Sequence, residues 1–266
     1  MTVEEKKLNL IYGRQKLEIA YFYRKGNEKN ILFLHGLGCA KDDFLGAVEA
    51  EDLRDYTIVS VDFPGCGGST YPENMGLDMD DLVEITHMVV SQLELGKCVL
   101  VGHSLGGLVA LLYSERYSPH VEAFIDVEGN LSGEDCFISR KMMKQDFSKF
   151  KTAAFPKFVR KMKKSDNTGF KKYGEILEKY TSPRAFYNYC PSLVRYSEEG
   201  ELIDKFLNLE VPKMFIHGSE NHTLSYLPVL RQGDCQVVEI PGSDHCPNYD
   251  NPSVFYREIA GFVKET

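Results

Sequence analysis

The stretch from residue 98 to residue 117, CVLVGHSLGGLVALLYSERY, decides the fold. Its first part, Cys98–Gly102, is short and continuously apolar, which is typical of a strand buried on both faces of a parallel sheet. Its last part, Gly106–Tyr117, predicts a helix. The letters GHSLG between them, residues 102–106, fit the pattern G-x-S-x-G. The sequence therefore predicts a sharp strand-to-helix turn that exposes the Ser104 hydroxyl as a nucleophile.

The residues around Ser104 suit acyl transfer. A serine on so tight a turn has a strained backbone, and side chains two positions away would collide, which explains the flanking glycines. The hydroxyl lies beside a helix N-terminus, where the amide of Leu105 can donate to a developing oxyanion. This arrangement predicts that Ser104 attacks a carbonyl group.

Strands and helices alternate on both sides of this turn, which predicts a mostly parallel sheet covered by helices on both faces. A hairpin opens the chain, and a final helix begins at Pro252 with Asn251 placed to cap it. The other predicted elements are the strands Asn30–Leu34, Tyr56–Val61, Val121–Val127, Lys213–His217 and Gln236–Ile240, the helix Met79–Leu95, and the hairpin strands Leu8–Tyr12 and Lys16–Arg24.

The alternation stops between Val127 and Lys213. Residues 131–206 are helical in pattern and rich in Phe and Tyr, and they hold 16 Lys and Arg against 10 Asp and Glu in a chain of net charge -8. We predict a hydrolytic core of residues 1–130 and 207–266 with a helical cap insertion of residues 131–206. The basic charge is a solvated surface in one interpretation and attracts an anionic substrate or membrane in the other.

Composition excludes several classes of protein. The net charge of -8 argues against nucleic acid as a partner, because phosphate binding needs a basic face. The seven cysteines are odd in number and lack paired spacing, so neither a disulfide framework nor a metal site is predicted. The start of the chain does not resemble a signal peptide, and no apolar stretch approaches the roughly 18 residues of a membrane span. We therefore expect a cytoplasmic protein; the oligomeric state is left open.

Three further motifs complete a resemblance. They are HGLG at residues 35–38, DFPGCGGS at residues 62–69 and PGSDHCP at residues 241–247. With the G-x-S-x-G turn, the chain resembles the α/β-hydrolase fold superfamily, in its esterase, lipase and C–C hydrolase branch. The resemblance implies an eight-stranded, mostly parallel sheet with an N-terminal antiparallel hairpin and a helical cap. It also implies that Leu37 supplies a second oxyanion amide and that His245 is the general base, a role that suits an imidazole pKa near 6.5.

The acid that should orient His245 departs from the family pattern. The usual position follows the strand that ends at His217, and there the family's Asp aligns with Asn221, which cannot carry the charge. Glu220, one residue away, is one alternative. Glu128 is the other, at the end of the strand Val121–Val127, where some members of the superfamily place the acid. We favour Glu128, because catalytic groups gather at the carboxyl edge of open parallel sheets.

These residues predict a serine hydrolase that cleaves a carboxylic ester, thioester or lactone of a small, partly apolar substrate through an acyl-enzyme at Ser104. Such chemistry needs no metal and no organic cofactor. Two alternatives stay open. One is a lyase, C–C hydrolase or acyltransferase with the same residues, since fold does not decide chemistry. The other is a small-ligand receptor without turnover, for which Asn221 at the usual acid position is the supporting feature.

Overall fold

Eight strands form one sheet in the computed structural model, which describes residues 4–72 and 74–266. They are β1 (Glu4–Tyr12), β2 (Gln15–Arg24), β3 (Asn30–Leu34), β4 (Thr57–Val61), β5 (Cys98–His103), β6 (Val121–Val127), β7 (Lys213–Gly218) and β8 (Gln236–Ile240). Their order is β1-β2-β4-β3-β5-β6-β7-β8. The pairs β1–β2 and β2–β4 are antiparallel and all the others are parallel. The predicted hairpin and mostly parallel sheet are confirmed.

The apolar strands are buried on both faces because successive side chains point to opposite sides. In β3, Leu32 and Leu34 belong to one apolar cluster, and Ile31 and Phe33 belong to a second cluster on the opposite face. A continuous apolar run is therefore needed wherever helices cover both sides of the sheet.

Twelve α-helices surround the sheet in the described residues. They are α1 (Gly46–Glu49), α2 (Met79–Gln92), α3 (Leu105–Arg116), α4 (Phe137–Met142), α5 (Phe147–Lys149), α6 (Phe155–Lys163), α7 (Thr168–Tyr180), α8 (Pro183–Glu198), α9 (Leu202–Leu207), α10 (Leu227–Gln232), α11 (Pro247–Asp250) and α12 (Pro252–Glu265). Residues of α2 and α3 pack in the first cluster and residues of α12 in the second, which confirms helices on both faces. None of the helices in this part of the chain has the length and apolarity needed to cross a membrane.

The prediction for the start of α12 is confirmed in position only, since Asn251 is the N-cap residue. Pro252 does begin the helix, but Asn251 makes no side-chain cap hydrogen bond. Its side-chain amide instead donates to the carbonyl of Pro241 at 2.9 Å. The side chain of Asn251 thus ties the start of α12 to the start of the loop that carries His245.

Helices α4 to α8 lie in residues 131–206, which we call the helical segment. Its aromatic side chains Phe150, Phe155 and Phe186 are buried in the same apolar cluster as Leu34 and Leu105 next to the nucleophile turn. The segment and this face of the sheet therefore share one core. The division into a hydrolytic core and a separate cap stays a prediction.

Candidate active site

Ser104 lies where β5 passes into α3, and its backbone is strained there. Its φ of 52° and ψ of -120° lie in a region that non-glycine residues rarely adopt. A Cβ on Gly102 would lie 2.3 Å from the carbonyl oxygen of Gly106, and one on Gly106 would lie 2.2 Å from that of Leu34. Side chains at these positions would collide with backbone, so the predicted steric role of both glycines follows from the geometry.

His245 lies on the loop between β8 and α11 and faces Glu128. His245 Nδ1 is 2.7 Å from Glu128 Oε2. A carboxylate can only accept, so Nδ1 carries the proton in this hydrogen bond and Nε2 is left free to accept one. Ser104 and His245 line the same cavity. No hydrogen bond joins their side chains in this structure, although catalytic hydrogen bonds often form only once substrate is bound.

Glu128 follows β6 and is held from several sides. Its side chain is 5% exposed and its φ is 45°. The amide of Gly218 donates to Oε1 at 2.7 Å, and the side-chain amide of Asn221 donates to Oε1 at 2.9 Å and to Oε2 at 3.0 Å. Asn221, which occupies the family's usual acid position, therefore holds the Glu128 carboxylate in place.

The electrostatics of the pair favour a charged carboxylate. Burial by itself would raise the pKa of Glu128, but the hydrogen bond and charge of His245 and the donors Gly218 and Asn221 lower it below its ordinary value. Burial by itself would lower the pKa of His245, but the hydrogen bond and negative charge of Glu128 raise it above its ordinary value. The imidazolium form is thus stabilised by Glu128.

The alternative acid, Glu220, lies apart from the imidazole. Its side chain is exposed, and its backbone amide donates to the carbonyl of Ser243 at 3.0 Å. No hydrogen bond or ion pair between Glu220 and His245 occurs in the described part of the chain. Of the two candidates, the structure brings only Glu128 to the imidazole.

His103 is a member of the site that the sequence did not reveal. It is buried, and its Nε2 lies 2.7 Å from the backbone carbonyl of His245. Burial lowers the pKa of the His103 imidazole to about 3, so the ring is neutral and its Nε2–H donates to that carbonyl. His103 therefore anchors the loop of His245 to the turn that carries Ser104. No local pattern distinguishes this residue from an ordinary variable position of G-x-S-x-G.

The loop of His245 is also tied to the helical segment. Asp244 Oδ1 accepts from the His245 amide at 2.7 Å and from Asn221 at 3.2 Å. Asp250 Oδ2 accepts from the amide of Asp244 at 3.0 Å, and Asp250 Oδ1 accepts from the amide of Gly169, in α7, at 2.9 Å. These contacts fix the loop between the sheet and α7.

The two predicted oxyanion amides belong to residues on either side of the nucleophile. Leu105 is the first residue of α3, where amides have no acceptor in a preceding turn. Leu37 lines the cavity of Ser104, and its carbonyl accepts from the Tyr173 hydroxyl at 2.8 Å. Neither amide donates a hydrogen bond in the described part of the chain.

The cavity that Ser104 and His245 line is small, at about 40 Å³. Two cysteines line it, but burial raises the pKa of the Cys39 and Cys246 thiols well above their ordinary value, so neither is a reactive thiolate. Among the described residues, no group of three His, Cys, Asp or Glu side chains is arranged to hold a metal ion. The cavity walls from the helical segment are Asp135, Phe137, Ile138, Ser139, Phe170, Tyr173 and Leu193.

Known proteins with lipase and esterase names resemble this chain. The sn-1-specific diacylglycerol lipase ABHD11 of Danio rerio is 25% identical over 259 residues, which cover 91% of this chain and 81% of that protein. The monoacylglycerol lipase ABHD6 of Homo sapiens is 36% identical over 102 residues, but these cover only 38% of this chain and 30% of that protein. The solved structure of a thermophilic esterase from Thermogutta terrifontis has a TM-score of 0.79 at 16% identity, over 98% of each chain, and shows the shared fold.

A family model described as "Alpha/beta hydrolase family" matches residues 31–258. The match spans all the strands from β4 to β8, the nucleophile turn and His245. The chain belongs to the alpha/beta hydrolase family.

Proposed function

We propose that the protein is a serine hydrolase that cleaves a carboxylic ester, thioester or lactone through an acyl-enzyme at Ser104. The observation that carries the proposal is the hydrogen bond of 2.7 Å between His245 and Glu128, with a strained Ser104 in the same cavity. The lipase and esterase names of the relatives support an ester as the substrate.

The first half of the reaction transfers the acyl group to the enzyme. His245 Nε2 removes the proton of Ser104, and Ser104 Oγ attacks the carbonyl carbon. The amides of Leu37 and Leu105 donate to the oxyanion. His245 then gives the proton to the leaving alcohol or thiol, and the acyl-enzyme is left.

The second half releases the acid. His245 takes a proton from water, which attacks the acyl-enzyme carbonyl, and Ser104 leaves with that proton. Glu128 stabilises the imidazolium in both halves and keeps the Nδ1 proton in place. Phe137, Phe170 and Tyr173 contribute an apolar wall, which suits a partly apolar substrate.

Hydrolysis of p-nitrophenyl esters of graded chain length tests the proposal, with Ser104→Ala as the matched variant. We expect turnover by the native chain and a loss of kcat of about 1000-fold or more in the variant. Turnover that persists in Ser104→Ala would exclude Ser104 as the nucleophile.

Labelling with a fluorophosphonate separates the alternatives without knowledge of the substrate. An activated serine forms a covalent adduct on Ser104, which mass spectrometry locates, and Ser104→Ala provides the control. Labelling without turnover of any ester would favour a lyase, C–C hydrolase or acyltransferase. The absence of both labelling and turnover would favour a receptor. The contact between Glu128 and His245 supports turnover over the receptor.

A further inference from the structure

A second cavity lies in the helical segment between α4, α6 and the start of α7. Its volume is about 720 Å³, far larger than the catalytic cavity. Apolar side chains from three helices, among them Met142, Phe158 and Met162, form its floor. A space of this size with an apolar floor fits a hydrocarbon chain. We call it the lysine-rimmed groove, because Lys141, Lys161 and Lys164 line it.

Three exposed lysines stand around this groove: Lys141, Lys161 and Lys164. None of them forms an ion pair in the part of the chain that the structure describes. Asp166 is the one acidic residue that lines the groove, so the lysines exceed it in charge. An apolar floor under a positive rim is complementary to an apolar chain that carries a negative charge.

The groove adjoins the catalytic cavity. Phe137, Ile138 and Phe170 line both spaces and form the wall between them. Phe137 is 57% exposed, and its ring centroid lies 6.4 Å from that of His245. An exposed phenylalanine beside the general base is poorly packed, so its rotation can connect the two spaces. The catalytic cavity, at about 40 Å³, holds only a few atoms of a substrate, and the groove is an adjoining apolar space for the remainder.

We infer that the substrate is an anionic amphiphile: an ester whose apolar chain lies in the lysine-rimmed groove and whose carboxylate or phosphate, remote from the scissile bond, meets the lysines. This inference rests on the proposed ester hydrolysis and adds its substrate class. The anion lies outside the catalytic cavity, so Lys141 and Lys161 act on substrate selection and leave the chemical step unchanged.

Matched ester pairs test the inference. For an anion on the acyl side, p-nitrophenyl octanoate is compared with the mono-p-nitrophenyl ester of suberic acid. For an anion on the alcohol side, octyl acetate is compared with the acetate ester of ω-hydroxyoctanoate. We expect kcat/KM to be about fivefold higher for the anionic member of at least one pair, and this preference to weaken as salt is added, since exposed ion pairs are weak and screened.

The double variant K141E/K161E reverses two of the rim charges. It should abolish or invert the preference, which is measured as the ratio of kcat/KM between the anionic and the neutral member of each pair. The double variant K157E/R160E is the matched control, because Lys157 and Arg160 are exposed on α6, do not line the groove, and together undergo the same charge change. Equal kcat/KM within both ester pairs, or a preference that K141E/K161E leaves intact, would overturn the inference. Thermal melts of all variants verify folding.

A binding experiment separates this inference from the proposed function. Calorimetry with octyl phosphate, an unreactive anionic amphiphile, is compared with octanol on the Ser104→Ala protein. Binding of octyl phosphate that K141E/K161E weakens about fivefold would support the groove even if no ester is turned over. Ester turnover with no lysine-dependent preference and no such binding would leave the hydrolase and remove the anionic substrate.

Discussion

Two residues of the candidate site have backbones that side chains normally avoid. Among the described residues, the non-glycine residues with positive φ are Glu94, Ser104 and Glu128, and the last two belong to the site. Such a conformation costs about 1–3 kcal/mol and persists only where surrounding contacts enforce it. For Glu128 those contacts are the hydrogen bonds from Gly218, Asn221 and His245. The strained backbone thus accompanies a carboxylate that is held next to the imidazole.

Replacement of Glu128 by Gln should remove the negative charge with little change of shape. We expect kcat to fall by about 1000-fold, because the imidazolium loses its stabilising partner and its orienting acceptor. The matched control, Glu220→Gln, should stay within about twofold of the native chain, since Glu220 is exposed and does not contact His245. Steady-state measurement of kcat for both variants on one ester tests this prediction. A large loss in Glu220→Gln with little loss in Glu128→Gln would assign the acid to Glu220.

The pH dependence of kcat/KM should report on the same pair. His245 acts as a base only when neutral, and Glu128 raises its pKa above the ordinary value of about 6.5. Activity should therefore be lost as pH falls, with a midpoint above pH 6.5. In Glu128→Gln, burial of the imidazole is opposed only by the weaker effects of Asp135 and Asp244, so the midpoint of the residual activity should move to lower pH. An unmoved midpoint would show that Glu128 does not set the pKa of His245.

At the scale of elements, the parallel pairing of β6 and β7 brings two chain positions together. Glu128 follows β6, and Asn221 follows β7 in a short turn. Adjacent parallel strands end at the same edge of the sheet, so residues 93 positions apart in the chain meet within hydrogen-bonding distance. We therefore expect a carboxylate placed at the end of β7 to lie close enough to His245 to support it.

The double variant Glu128→Gln with Asn221→Asp tests this expectation. Asp at position 221 restores a carboxylate beside the imidazole, so we expect kcat at least about tenfold above that of Glu128→Gln alone. Asn221→Asp by itself should be impaired at neutral pH, because it sets two carboxylates against each other in a half-buried site. Activity of the double variant no higher than that of Glu128→Gln would show that the end of β7 cannot supply the acid.

At the scale of the whole molecule, a buried carboxyl joins the region after β3 to the region after His245. Asp43 Oδ1 accepts from the Tyr249 hydroxyl at 2.7 Å, and the Asp43 carbonyl accepts from the side chain of Asn248 at 2.8 Å. Asp43 is 4% exposed, and burial raises its pKa to about 7. The folded chain therefore binds the Asp43 proton more tightly than the unfolded chain does.

Asp43→Asn should change the pH dependence of stability. The unfolded Asp43 ionises near pH 4 and the folded one near pH 7, so the native chain loses stability as pH rises across this window. The variant lacks this loss. We therefore expect the variant's free energy of unfolding, relative to that of the native chain, to be larger at pH 8 than at pH 5, as urea titrations would measure. A difference that does not vary with pH would contradict the prediction.

The sequence by itself determined the main elements and the strand-to-helix turn that carries Ser104. Buried strands are continuous apolar runs, and a serine between glycines at a strand-to-helix turn is a local steric pattern, so both can be recognised without knowledge of distant residues. The order of the motifs along the chain likewise indicated His245 as the predicted general base without knowledge of distant contacts. The predicted ends of elements were less accurate: α2 stops at Gln92, before the predicted Leu95, because the chain turns at Glu94 and Gly96 with positive φ.

The tertiary structure decided which groups meet. Four hydrogen bonds of the site region join residues from different strands or loops. They connect His245 with Glu128, Asn221 with Glu128, His103 with the carbonyl of His245, and Asn251 with the carbonyl of Pro241. Local patterns carry no distance across a sheet, so the sequence left Glu128 and Glu220 as alternatives. The lysine-rimmed groove arises in the same way, since its floor and rim come from separate helices that only folding brings together.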